Sequence, residues 1–254
     1  MNAKRFTALL LAAAMLLCVF LSAGCASKAP AQPGETDAET LPEETTGAGF
    51  SDLNAAETLV FGAYEQDNDE TNGSEPIEWI VLARAEGKTL VTSKYALDCA
   101  AYHEELTEIT WENSSLRAWL NGAFLNAAFT AEEQARLAPA GVKAEKNPSY
   151  DTDPGADATD RVFLLSLNEA QTYFVTDEAR ACRATPYADA KSTWFDPAKA
   201  VDGYVLCTWW LRTPGSVPEK ATVCTDAGWI ELGGSSVSTA DFAVRPAMWL
   251  ADAE

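Results

Sequence analysis

In the folded stretch of this 254-residue chain, segments whose apolar residues alternate lie at both ends, and segments with helical spacing lie between them. A parallel sheet needs a crossover, usually a helix, after each strand. A chain that groups its strands at its ends is therefore restricted to an α+β fold with a mainly antiparallel sheet and inserted helices. The first group is TLVFGAYEQ followed by PIEWIVLARAEGKTLVTSKY, where Ile77, Trp79 and Val81 alternate with Glu78, Ile80 and Leu82. Both faces of that strand are expected to be covered, and Glu86-Gly87-Lys88 is the turn of a hairpin. The middle begins with WENSSLRAWLNGAFLNAAFTAEEQARL, in which Leu116, Trp119, Leu120 and Phe124 recur at helical spacing. Thr130 with Glu133, and Ser166 with Glu169, have the spacing of capping boxes that start helices. The last group, GYVLCTWWLRT, ATVCTDAGWIEL and FAVRPAMWL, returns to short strands joined by Pro-Gly and Gly-Gly turns.

Ahead of these segments, Lys4 and Arg5 precede an apolar or small-residue run from Phe6 to about Leu21, and Ser22-Ala23-Gly24-Cys25 follows. The pattern is a secretory signal over residues 1–24. Its end resembles a bacterial lipobox, with Ser22 where Leu is usual, so Cys25 is expected to carry the lipid and to hold the protein on the extracytoplasmic face of the membrane. Residues 25–54, rich in Pro, Thr, Gly and acid, are expected to form a disordered tether, and residues 55–254 a single domain. The formal net charge of −20 repels phosphate backbones and anionic lipid heads, so nucleic acid is not an expected partner and membrane contact falls to the lipid anchor alone. Cys99, Cys182, Cys207 and Cys224 remain in the domain, open to three pairings or to none. Cys207 and Cys224 are placed to meet across neighbouring strands, as buried thiols or as a disulfide.

Catalytic chemistry finds few residues. His103 is the only histidine, which rules out a multi-histidine metal centre, and no G-x-S-x-G elbow, C-x-x-C pair or glycine-rich phosphate loop occurs. No catalytic residue is assigned and no enzyme activity is expected. Two acidic loops, residues 67–75 and 151–160, offer oxygen ligands at alternate positions, as calcium requires. Gly73 does not fall where an EF-hand turns, and Pro154 and Ala156 interrupt the second loop. Both are read as solvated loops, with no metal or cofactor assigned and calcium as the one candidate.

Aromatic residues carry the binding reading. There are eight tryptophans in the chain, and Trp194, Trp209, Trp210, Trp229 and Trp249 fall in its last third. An indole face is a platform for the C–H face of a sugar, with neighbouring charged groups serving its hydroxyls. Adjacent strand residues point to opposite faces, so Trp209 and Trp210 cannot share one side. One belongs to the core, and the other is either covered by the insert or borders a ligand groove. Trp194-Phe195, in the loop STWFDP, is expected to be exposed. The candidate ligand-binding residues are Trp194, Phe195, Trp209, Arg212, Asp226 and Trp229. Arg212 also has the simpler reading of an ion pair with an acid such as Asp226, and Arg245 likewise.

Taken in order, FGAYEQ, PIEWIVL, SKYALDC, TWENSSLRAWLN, DRVFLLSLNEAQTYF, CTWWLRTPG and AVRPAMWL resemble the bacterial family catalogued as domain of unknown function 6273. That resemblance implies a secreted or lipid-anchored protein and no established activity. The terminal pattern, WWLRTPG leading through a glycine turn to AVRPA, is more loosely similar to the C-type lectin-like group that includes the formylglycine-generating enzymes. In that group a Glu-Pro-Asn or Gln-Pro-Asp tripeptide and a Trp-Asn-Asp segment hold calcium, whereas here Ile77 follows Glu75-Pro76 and Leu211 follows Trp209-Trp210. The expected function is that of a lipid-anchored extracytoplasmic binding protein, lectin-like, for a glycan, a cell-wall fragment or a protein. The alternatives are an envelope protein-interaction module working through residues 116 to 137, and an enzyme of the formylglycine type or a hydrolase with paired carboxylates. An exposed surface at Trp194 and Trp229 favours the first, and an apolar patch over 116 to 137 the second.

Overall fold

A computed structural model describes residues 56–252. The signal, Cys25 and the tether lie outside them. Strands Thr58–Tyr64, Glu75–Ala85 and Lys88–Ser93 run antiparallel in sequence order, and Ala247–Ala251 joins the far edge of the third. The other edge of Ala247–Ala251 is shared in tandem by Val162–Phe163 and Leu137–Ala138, which completes a six-stranded sheet. A second sheet has the order Ile230–Ser236, Lys220–Cys224, Trp209–Pro214, Ala243–Val244, Asp98–Cys99. Trp209 with Ala243 and the isolated bridge of Ala96 with Ala184 are parallel, and the other described pairings are antiparallel. Two ribbons stand apart: Cys182–Ala184 with Val205–Cys207, and Ala140–Val142 with Ala158–Asp160. The fold is thus α+β with mostly antiparallel sheets and short helices.

Local chemistry explains these elements. Glu86 and Gly87 have φ of 52° and 69°, the left-handed pair that a two-residue hairpin turn demands. Ile77, Trp79, Ile80, Val81 and Leu82 are all buried, so this strand is covered on both faces. Ser115–Trp119 and Leu125–Ala128 are joined by a π-helical turn, Leu120–Phe124, and Leu116, Leu120 and Phe124 face the core. That turn presents Asn121, whose amide accepts from the N–H groups of Arg161 and Val162 and donates to the Val162 carbonyl at 2.8 Å. Both capping boxes form, at Thr130 with Glu133 and at Ser166 with Glu169.

Of the two alternatives for the tryptophan pair, the structure shows the one in which both are covered, since Trp209 and Trp210 are 0 % exposed. Their strand is interior to its sheet, and each face has a cover. Trp209 donates Nε1–H to the carbonyl of Arg180 at 3.3 Å on one side, and Trp210 donates to that of Ala100 at 2.9 Å on the other. Trp209 is therefore a core residue and not a ligand contact. Arg212 is buried as well, held by both carboxylate oxygens of Glu169 and by the carbonyls of Leu164 and Lys143, so it meets neither a ligand nor Asp226. Arg245 pairs with no carboxylate among the described residues. Its Nε donates to Ser93 and its guanidinium lies 4.8 Å from the Phe174 ring and 5.0 Å from that of Trp209. A delocalised, weakly hydrated cation tolerates this aromatic surrounding better than a compact ammonium would.

Candidate functional site

Three of the sequence candidates come together. Trp194, Phe195 and Asp226 line a cavity of about 170 Å³ with Asp196, Lys199 and Phe242. The loop bearing Trp194 is fixed at its start, where Asp241 accepts from both the N–H and the hydroxyl of Thr193 at 2.7 Å. Asp241 precedes Phe242, so the same segment that pins the loop also supplies the ring beneath it. Trp194 packs edge-on to Phe242 with centroids 4.9 Å apart, and Phe242 packs edge-on to Trp210, again at 4.9 Å. The buried Trp210 thus supports the exposed indole through one intervening ring. Trp194 remains 61 % exposed, which leaves a face free for stacking.

Asp226 reaches the cavity from a tight turn. Thr225 N–H donates to the Trp229 carbonyl, Gly228 N–H donates to the Thr225 carbonyl, and Arg180 donates to the Gly228 carbonyl at 2.9 Å. Gly228 has φ of 85°, and a Cβ there would sit 1.6 Å from the Asp177 oxygen, so no other residue fits without displacing the helix beside it. Trp229, on the same turn, is 62 % exposed but is not among the residues lining the cavity.

Leu206 borders this cavity and also a larger cleft of about 520 Å³, lined by Glu78, Lys94, Tyr95, Glu178 and Arg183. Tyr95 stacks on Tyr204 at 4.2 Å, and Arg183 donates to the Tyr204 carbonyl at 2.9 Å. Lys94 is paired with Glu78 at 2.8 Å, and that hydrogen bond outweighs burial to raise the Lys94 ammonium above its usual value. Glu78 and Tyr95 continue into a third concavity of about 290 Å³ with Asp67, Glu75 and Asp202. Shared lining residues make the three neighbours, the first and second meeting at Leu206 and the second and third at Glu78 and Tyr95. Of the residues of the two further clefts, only Asp67 and Glu75 are candidates in the sequence, as members of the acidic loop 67–75. The one local signal was the Asp202-Gly203 turn, both with positive φ, that presents Tyr204.

Beside the third concavity, carboxylate oxygens of Glu65, Asp67 and Glu75 all lie within 4.8 Å of one another. Partial desolvation, then the charges of Glu75 and Asp67, hold Glu65 above the ordinary carboxylate range. Most of their oxygens already accept local hydrogen bonds, as when Glu75 takes the Gln66 N–H at 2.7 Å and Asp67 the Asn72 amide at 2.8 Å. The second acidic loop is dispersed: Asp151 pairs with Lys146, Asp157 with Lys143, and the buried Asp160 with Arg117 and Trp111.

His103 accepts from the Ser115 N–H at 3.2 Å and meets no nucleophile among the described residues. The four cysteines are free and buried. Cys207 faces Cys182 in register, whereas Cys224 faces Trp209, so the pairing of Cys207 with Cys224 does not form. Within 116–137 the large apolar residues point inward, and none of the exposed large hydrophobic residues belongs to that segment. No helix among the described residues is long and apolar enough to cross a membrane.

A family model described as Domain of unknown function (DUF6273) matches residues 86–252. The match takes in Trp194, Phe195, Asp226 and Trp229. No curated protein and no solved structure matches the chain.

Proposed function

Because the chain belongs to the DUF6273 family, whose description carries no activity, we propose its function from the site alone: a lipid-anchored extracytoplasmic protein that binds a glycan or cell-wall fragment without chemical change. The observation that carries this reading is Trp194, more than half exposed yet held on Phe242 and Trp210 beside Asp196, Lys199 and Asp226. A preordered indole with charged neighbours suits one sugar ring, since stacking takes the C–H face while the polar groups take the hydroxyls. A cavity of about 170 Å³ is smaller than the ~300 Å³ at which drug-sized ligand sites begin. The adjoining 520 Å³ cleft with Tyr95, Lys94 and Arg183 gives room for further units of a linear polymer. The antiparallel strands Trp209–Pro214, Lys220–Cys224 and Ile230–Ser236, with their glycine turn, support reading the fold as C-type lectin-like. Lys4 to Cys25 support export and acylation, which place the site outside the cell.

The test is an array of glycans and cell-wall fragments probed with the chain, with calcium and with chelator, beside Trp194→Ala. Saturable binding that falls about tenfold in Trp194→Ala is expected, because stacking on an aromatic face contributes about 0.5–1.5 kcal/mol in addition to the area it buries, and about 1.4 kcal/mol is tenfold. Binding to no glycan under either condition sinks the reading. Sensitivity to chelator would bring the Glu65, Asp67 and Glu75 cluster into the site. Acyl labelling in cells, lost in Cys25→Ser, tests the anchor.

A further inference from the structure

Cys182 and Cys207 are 25 positions apart in sequence and directly opposite in the antiparallel ribbon Cys182–Ala184 with Val205–Cys207. Opposed residues in such a ladder have Cα atoms about 4.5–5.5 Å apart, inside the ~4.4–6.8 Å window that a disulfide spans. The Cys207 thiol lies 3.4 Å from the Cys182 carbonyl oxygen and hydrogen-bonds the Cys182 sulfur as well. The other two cysteines are placed differently, Cys224 opposite Trp209 and Cys99 opposite Ala243. We infer that Cys182 and Cys207 form a redox-active pair, closing to a disulfide that staples the base of the loop carrying Trp194 and Phe195.

The chemistry around the pair favours exchange. Burial pushes the Cys182 thiol up, but the hydrogen bond from Cys207, the charge of Arg245 and contacts from the backbone outweigh it and bring the thiol below its usual value. Cys207 is moved the opposite way, by burial first and then by Cys182. Both Nη atoms of Arg245 lack hydrogen-bond partners among the described residues, so its charge is not neutralised by a closer acceptor. Cys182 is the attacking sulfur. Its thiolate displaces one thiolate from an external disulfide, such as glutathione disulfide or an oxidoreductase disulfide, and forms a mixed disulfide. The Cys207 thiolate then attacks the Cys182 sulfur and releases the second thiolate. In sum two cysteine thiols become one disulfide while the external disulfide takes up two electrons and two protons. Access comes from opening of the ribbon, a pair of three residues a side that belongs to neither large sheet and is tied to the rest of the fold by a backbone bridge from Ala184 to Ala96. The inference does not depend on which ligand the cavity holds.

The experiment equilibrates the full chain with oxidised or reduced glutathione, alkylates the free thiols, digests with trypsin and reads the peptides without reduction. Under oxidising poise the expected product is ACR, residues 181–183, bonded to AVDGYVLCTWWLR, residues 200–212, with Cys99 and Cys224 alkylated. Oxidation is expected to raise the melting temperature by about 5–15 °C and to slow amide exchange over residues 192–204. Cys182→Ser or Cys207→Ser removes both responses. Full alkylation of Cys182 and Cys207 after oxidation, or a linked peptide containing Cys224, overturns the inference without touching the glycan reading. If the serine variants do not fold, the wild-type peptide map decides alone.

Discussion

Glu169 and Arg212 should respond unequally to removal, and the inequality follows from their burial. The Arg212 side chain is 3 % exposed and that of Glu169 29 %. Glu169→Gln keeps the size of the side chain and an oxygen for the Ser166 N–H, but leaves the guanidinium enclosed opposite a neutral amide. Breaking a buried pair from one side costs about 3–5 kcal/mol. The Glu145 carboxylate, 4.0 Å from Arg212, offers partial relief and sets the expectation at the lower end. Arg212→Met instead removes the enclosed charge, fills similar space and leaves a carboxylate that water can reach. Its main losses are the donors to Leu164 and Lys143, at about 1 kcal/mol each. In a domain of this size about 3 kcal/mol lowers the melting temperature by roughly 6–12 °C, and about 2 kcal/mol by roughly 4–8 °C. The assay is thermal and urea unfolding at pH 7, followed by tryptophan fluorescence. The reasoning fails if Arg212→Met is the more destabilising of the two, or if Glu169→Gln shifts the transition by less than about 2 °C.

Two further outcomes follow from other contacts. Gly228→Ala is expected to lose about 2 kcal/mol or more, from the left-handed backbone and the clash with Asp177; a melting temperature within 1–2 °C of wild type would contradict the placement of that turn. At Glu133, hydrogen bonds from Thr130 come first among the causes that hold the carboxyl below its ordinary value, and the Gly62 N–H adds to them. Stability from Glu133 is therefore complete above its unfolded value of about 4.3 and is lost as pH falls through the lower folded value. Glu133→Gln should melt earlier than wild type at pH 7, with the gap closing as the pH falls below the unfolded value of about 4.3, and a gap that persists unchanged at low pH would refute this origin.

What the sequence revealed and what it hid divide by distance along the chain. The capping boxes at Thr130 and Ser166 and the hairpin at Glu86-Gly87 are settled within four residues, so their spacing alone announced them. STWFDP was legible for a similar reason: aromatics in a loop without apolar period had no core position to occupy, and Trp194 is exposed. Trp209 was misread because its burial depends on cover from Arg180, 29 positions away, just as that of Trp210 depends on Ala100, 110 positions away. Arg212 finds Glu169 at a separation of 43, past the nearer Asp226. The larger cleft gathers Glu78, Lys94, Glu178 and Arg183 from four separate segments, and no window on the sequence contains them together.

The strand Ala247–Ala251 is paired on both edges, yet it comes after every one of its neighbours in chain order. While the ribosome is still short of residue 247, Lys88–Ser93 on one side and Leu137–Ala138 with Val162–Phe163 on the other have no partner between them. The six-stranded sheet can close only when this segment has been made. The same arrangement makes a premature stop or a proteolytic clip before residue 247 a split through the middle of the sheet rather than a trimmed edge: the three-stranded meander Thr58–Ser93 keeps its own pairing but is parted from Leu137–Ala138 and Val162–Phe163.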